Sequence, residues 1–333
     1  MTSLDTLFLV SAATLLVALL AGRHRLAGPV LVLLYLAQFW ALINTGTLYG
    51  APVDSSWVIT VLDQPMNWRY DALSWLFAMV TIGAGVLASL YAAGAWMEKY
   101  LATGRSGHAF HVALAANVFS MVLLVGAADF LTLFLGWELV SWASFLLMAI
   151  AGGIAAKAAM RYLTYAFSGA MAILGAMALI YAEVGSLEYQ PFIEAIPTLG
   201  NGQLWALLLM LGGGFAVKMG LIPFHLWQVQ AYAETPGPGS AFLGAISARM
   251  GLYALIIVLI GMVGIARLVQ LEIPYTFLSS RELLAWIAAF TIIFPTYTAL
   301  QQHDARYLLA WHGVGQGGYM LLGIAVGNAV GTA

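Results

Sequence analysis

The chain has 333 residues, of which 62% are hydrophobic and 8% charged, with a formal net charge of -2 at pH 7. Its mean hydropathy of +0.92 describes a polytopic membrane protein and excludes a sizeable soluble catalytic or nucleotide-binding domain. The near-neutral charge predicts no nucleic-acid partner, and the absence of cysteine excludes disulfides and thiolate metal sites.

A membrane-crossing helix needs roughly 20 apolar residues, and such runs recur along the chain. The expected spans are 4–22, 28–49, 71–95, 108–127, 130–152, 158–182, 203–230 with a break, 238–266, 283–301 and 306–328. The expected fold is therefore an all-α, polytopic transmembrane bundle of about ten helices. The first span has the length of a signal sequence, but it carries Asp5 and lacks a basic stretch ahead of its apolar core, so it reads as a retained helix. The polar gaps 50–70 and 183–202 read as loops or interfacial segments, the second holding Glu183, Glu188, Pro191, Glu194 and Pro197.

Basic residues are retained on the cytoplasmic side. Loops after odd-numbered spans hold Arg23, Arg25, Lys99, Arg105, Lys157, Arg161 and Arg306, against Arg69, Arg267 and Arg281 on the other face. Both termini are expected to face away from the cytoplasm.

Charges inside spans carry the functional signal, because an ionised residue at a helix centre costs roughly 2.5–3.5 kcal/mol on insertion scales. Glu138 is the lone charge between Asp129 and Lys157, and it shares a helix face with Ser141 and Trp142. Lys218 lies five residues before Pro223 and follows Gly212, Gly213 and Gly214, a glycine run that would admit another helix closely. A proline in a helix interior would leave the Met219 carbonyl beside Lys218 without its donor. Transporters place ion sites at such breaks. Burial disfavours the charged form of a lysine and a nearby carboxylate favours it, so a moving carboxylate would switch the proton.

His225 follows the proline, Arg249 lies in the eighth span and His312 in the tenth, together extending a line of polar groups. Arginine does not titrate at physiological pH, so Arg249 would order water or bias its neighbours. Each residue also has a structural reading: Glu138 as a cap on a helix contact, Arg249 snorkelling to an interface, His225 as a satisfied histidine. Gly313, Gly315, Gly317 and Gly318 lack the strand-turn-helix setting of a nucleotide site and read as close helix packing. No metal-ligand spacing is present in the sequence, and no cofactor is expected.

Several segments together resemble the proton-conducting antiporter-like subunits shared by respiratory complex I, membrane-bound hydrogenases, formate hydrogenlyase-type complexes and multisubunit cation/proton antiporters. LGWELVSWASFLL is similar to the family's fifth-helix segment, whose glutamate corresponds to Glu138. KMGLIPFHLWQVQAYAETPGPGSAFLGAISARMGLYAL is similar to its seventh-to-eighth-helix signature, which places the family lysine at Lys218. WRYDALSWLF and HDARYLLAWHGVGQGGYMLLG resemble the starts of the third and tenth helices.

The resemblance implies inverted five-helix repeats, each with a broken helix. Residues 1–107 would be three leading helices, 108–266 the first repeat with Glu138 and Lys218 as its charge pair, and 267–333 the start of a second, truncated repeat. That shortened repeat implies either an incomplete chain or completion by a neighbouring subunit. Arg249 stands where many relatives have lysine or histidine, and His312 where serine is common.

The function implied is a proton-translocating subunit, without a redox centre of its own, in an energy-coupling complex of a prokaryotic inner membrane. Its partners would be other integral membrane subunits and the lipid bilayer, with protons or sodium as the transported ion. Alternatives are a non-conducting scaffold, a cation/proton antiporter subunit, or a membrane subunit for inorganic-carbon uptake.

Overall fold

The structure is a computed structural model that describes residues 1–61, 63–273, 276 and 278–327. Residue 328, the last of the tenth expected span, lies outside the described residues, as do 274, 275, 277 and 329–333 of the expected third part. All ten expected spans correspond to helices. Eight helical segments among the described residues are long and apolar enough to cross a membrane.

The first compact unit comprises Met1–Leu163 and Glu234–Ile246. Here α1 (Ser3–Ala21) packs on α2 (Ala27–Ile43) and on α5 (Gly107–Leu124), while α3 (Ala72–Ala92) packs on α2 and α5. The short α4 (Ala95–Ala102) precedes α5, and α6 (Phe130–Ala149) lies against α5. An added Cβ on Gly136 of α6 would stand 3.0 Å from the Leu124 Cα, so these two helices meet at their backbones. Helix α7 (Gly153–Val184) starts in this unit and continues into the second.

Helix starts follow capping chemistry, in which a side-chain oxygen accepts from an otherwise orphaned backbone N–H. Asp71 accepts from the Ser74 N–H at the start of α3. Asp129 opens α6 by accepting from the Thr132 N–H at 2.7 Å and also holds the Asn67 N–H at 2.7 Å. Burial pushes the Asp129 carboxyl up from its ordinary value, against the pull of these hydrogen bonds.

The 50–70 gap has more structure than a loop. Two small antiparallel ladders pair β1 (Val53–Asp54) with β4 (Arg69–Tyr70) and β2 (Ile59–Val61) with β3 (Gln64–Met66). Asp5 anchors this segment: its carboxylate accepts from the Ser55 hydroxyl at 2.6 Å, the Ser56 hydroxyl at 2.6 Å and the Ser56 N–H at 3.0 Å. Asp5 is fully buried, and with Thr2 it also forms a capping box on α1. Asp5→Ala is expected to lower stability by about 2–3 kcal/mol, since hydrogen bonds to a charged group are the stronger kind. Unfolding by denaturing detergent measures that loss, and an unshifted midpoint would show the anchor to be incidental.

The second unit comprises Thr164–Ala233 and Ser247–Ala333. The 183–202 gap holds a short α8 (Tyr189–Ala195) and a 3-10 turn at Ile196–Thr198. The seventh expected span is divided into α9 (Asn201–Met219), a 3-10 turn at Phe224–Trp227 and α10 (Gln228–Glu234). The eighth is likewise composite. It runs through α11 (Gly237–Phe242), a π-helical stretch at Leu243–Ser247, α12 (Arg249–Leu255) and a second π-helical stretch at Ile256–Val263. Of these, α11 belongs to the first unit, where it packs on α3 and α6.

Beyond them come α13 (Ile265–Gln270), α14 (Ser280–Leu300) and α15 (Ala305–Val326). The last two pack along their length. Added Cβ atoms on Gly315 and Gly318 would stand 3.3 Å from the Thr296 hydroxyl and 2.8 Å from the Ala288 carbonyl, which bears out the close packing expected of these glycines.

Candidate functional site

Lys218 occupies the last turn of α9 and is 2% exposed. The helix ends there because Gly220 adopts φ +65, a left-handed conformation that glycine takes at little cost. The Leu221 N–H donates to the Ala216 carbonyl at 3.1 Å and the Gly220 N–H to the Val217 carbonyl at 3.2 Å, closing the helix in a Schellman arrangement. This corrects the reading of Pro223 as a helix-interior proline. The helix has already stopped at Met219, and Pro223 lies beyond it.

The chain after the break is tied back onto it. Trp227 donates its ring N–H to the Val217 carbonyl at 2.9 Å, and the Ile222 N–H reaches the Thr291 hydroxyl of α14 at 3.2 Å. The Val217 carbonyl and the Ile222 N–H at the break thus both find protein partners, as non-helical backbone inside a membrane protein requires.

The glycine run before Lys218 acts only in part as expected. An added Cβ on Gly214 would stand 2.7 Å from the Gly169 carbonyl, so α7 and α9 meet there. Gly212 and Gly213 meet no other group within 4 Å and instead border an apolar cavity of about 260 Å³. On another face of α9, a Cβ on Gly251 of α12 would stand 2.6 Å from the Phe215 carbonyl. Gly317 of α15 faces the Met219 carbonyl, 3.6 Å from its would-be Cβ. The end of α9 is therefore flanked by the helix that carries Arg249 and the helix that carries His312.

Arg249 is half-buried at the start of α12, between the two π-helical stretches. His225 is buried, its ring 5.8 Å from Phe294 and 5.7 Å from Trp311. His312, next to Trp311 in the chain, points elsewhere. It is exposed, and its Nε2 lies 3.0 Å from the Gln316 amide nitrogen. The residue of α15 that reaches His225 is thus Trp311.

Glu138 belongs to the first unit, half-buried on α6. Its expected face divides: Ser141 is buried and donates to the Trp137 carbonyl at 2.9 Å, whereas Trp142 is exposed. Among the described residues, no group of three or more histidine, aspartate or glutamate side chains is placed to hold a metal ion.

Sequence reasoning passed over Gln228 and Thr291, both 0% exposed in the second unit. Gln228 is a polar side chain in the run after Trp227, and that position was its only signal.

Comparison with known proteins agrees with this architecture. The family model described as "NADH:quinone oxidoreductase/Mrp antiporter, TM" matches residues 127–333. An NADH-quinone oxidoreductase subunit N from Desulforudis audaxviator is 29% identical over 331 residues, covering 97% of this chain and 63% of that protein. An F(420)H(2) dehydrogenase subunit N from Methanosarcina mazei is 28% identical over 337 residues, covering 98% and 64%. The chain thus spans less than two thirds of the length of these curated relatives.

In fold, the chain is similar to a chain of an archaeal respiratory membrane complex, the membrane-bound sulfane sulfur reductase. The TM-score is 0.85 at 23% identity, covering 99% of this chain and 52% of that one. It is also similar to a chain of the Mrp complex from Dietzia sp. DQ12-45-1b, with a TM-score of 0.80 at 21% identity, covering 98% and 34%. With a family model matched over more than half its residues, this multi-pass helical membrane protein belongs to the NADH:quinone oxidoreductase/Mrp antiporter transmembrane family.

Proposed function

We propose that the protein translocates protons, or couples to their movement, as a membrane subunit of a larger energy-coupling complex in a prokaryotic inner membrane. The observation that carries this reading is Lys218, a lysine 2% exposed in the last turn of a helix that breaks inside an apolar run. Intramembrane ionisable groups are costly and mark ion pathways. A lysine ammonium is also a single exchangeable point charge, suited to taking and releasing a proton as its surroundings change.

In this reading Lys218 holds the proton and Arg249 organises the polar groups that receive it. His225 contributes a second titratable group beyond the break. His312, exposed on α15, would take the proton last. Glu138 supplies the acidic member, and a conformational change in a neighbouring subunit would alter its influence on Lys218. Residues 108–266 are proposed as the first repeat of the family architecture and 267–333 as the beginning of a second. Sodium in place of protons is the related activity that the same residues would support.

The test is translocation in native membranes containing the whole complex. Glu138→Gln keeps the shape of the side chain and removes its charge. It is expected to cut ion translocation roughly a hundredfold, a loss typical of removing a proton-transfer group, with subunit content unchanged. Normal translocation in that variant, or loss of the complex with normal translocation by what remains, would leave Glu138 a structural residue.

A further inference from the structure

Gln228 opens α10 directly after the 3-10 turn and is 0% exposed. Neither its amide oxygen nor its amide nitrogen has a hydrogen-bond partner among the described residues. A buried carboxamide with neither end satisfied is unfavourable, and native interiors resolve such groups with ordered water. The amide oxygen lies directly over Gly220, so that any Cβ there would collide with it. The amide nitrogen lies 3.9 Å from the position of a Cβ on Gly313.

Gly313 and Gly317 are four residues apart on α15 and therefore share a face. That face turns to the break: Gly313 toward the Gln228 amide, Gly317 toward the Met219 carbonyl, 3.6 Å from its would-be Cβ. A Cβ at Gly313 would meet only the Gln228 amide nitrogen within 4 Å, which leaves open space beside that amide, whereas one at Gly317 would also touch the Leu221 side chain at 3.4 Å. A buried water needs roughly two to four polar partners as well as space. The Gln228 amide supplies a donor and an acceptor, and the Met219 carbonyl, beside Lys218, supplies another acceptor.

We propose that the Gln228 carboxamide is a water-binding positioning residue, holding ordered water between the break after α9 and the glycine face of α15. Resting on the proton-translocation reading above, this water is the first carrier beyond Lys218 within the second unit. Gln228 does not titrate. It orients the water and keeps the break hydrated while the lysine exchanges its proton.

The test uses the full chain in its native complex. An experimental density map that resolves ordered water is expected to show it within hydrogen-bond distance of the Gln228 amide in the wild type and not in Gln228→Leu. In the same membranes Gln228→Leu is expected to slow translocation about tenfold through loss of positioning, and Gln228→Asn to recover most of that rate. A wild-type amide satisfied by protein groups alone overturns the proposal, and that map needs no variant to fold. Translocation by Gln228→Leu at the wild-type rate overturns its place on the path. If Lys218→Met translocates normally while water is present at Gln228, the functional reading fails and the water site stands.

Discussion

Lys218→Met is expected to abolish ion translocation, with a drop of roughly a hundredfold or more, and to leave the complex assembled. The substitution keeps an unbranched, apolar stem of similar length and removes the ammonium. Holding a charge in hydrocarbon-like surroundings carries a desolvation cost of several kcal/mol, which an apolar replacement of similar volume avoids. Removing the ammonium also strips the groups that Lys218 contacts of their partner, so some loss of thermal stability is expected as well, and turnover per assembled complex is the deciding measurement. A group kept only for structure would lose stability with turnover per assembled complex preserved. Measuring both in the same membranes separates the two roles, and full translocation in this variant would sink the assignment of Lys218.

The second large effect is expected at Gly220, the left-handed residue that stops α9 at φ +65. Any side chain there meets two penalties: about 1–2 kcal/mol for the backbone conformation, and about 1–3 kcal/mol for forcing a group into filled space. The filled space is the Gln228 carboxamide, which lies where the new Cβ would go. Gly220→Ala is therefore expected to cost about 2–5 kcal/mol in total. Because the obstacle is one side chain, Gly220→Ala combined with Gln228→Ala should recover the packing share and leave the conformational share. A double-mutant cycle on unfolding free energies measures that coupling. Strict additivity would mean that Gln228 does not lie over Gly220.

The helices were legible because lipid is an undemanding reader: a long apolar run must be a helix, whatever its neighbours. Asp71 and Asp129, standing before such runs, also carry a readable capping role. Lys218 and Glu138 were conspicuous for the same reason, as charges where charge is expensive. What stayed hidden depends on which backbone lies beside which. Pro223 suggested the break, but Gly220 makes it, because a glycine's choice of a left-handed turn leaves no trace in hydropathy. Gly212, Gly213 and Gly214 are identical in sequence, and only the third meets another helix. The π-helical stretches around Arg249 keep the composition of an ordinary span, so their wider turns were not predictable. His312 reads in the sequence as extending a line of polar groups with His225 and Arg249, whereas it is Trp311 of α15 that meets the His225 ring. Gln228 escaped attention as a neutral side chain whose importance lies in its burial.

The Schellman closure after Met219 has an electrostatic corollary. Aligned peptide dipoles give the C-terminal end of a helix roughly half a negative elementary charge, and Lys218 sits in the final turn of one. Its ammonium thus has a built-in counterweight, fixed in the main chain and indifferent to any acidic residue. Substituting acids elsewhere trims only the adjustable portion of the field that the lysine feels, whereas melting the final turn of α9 would remove the permanent portion.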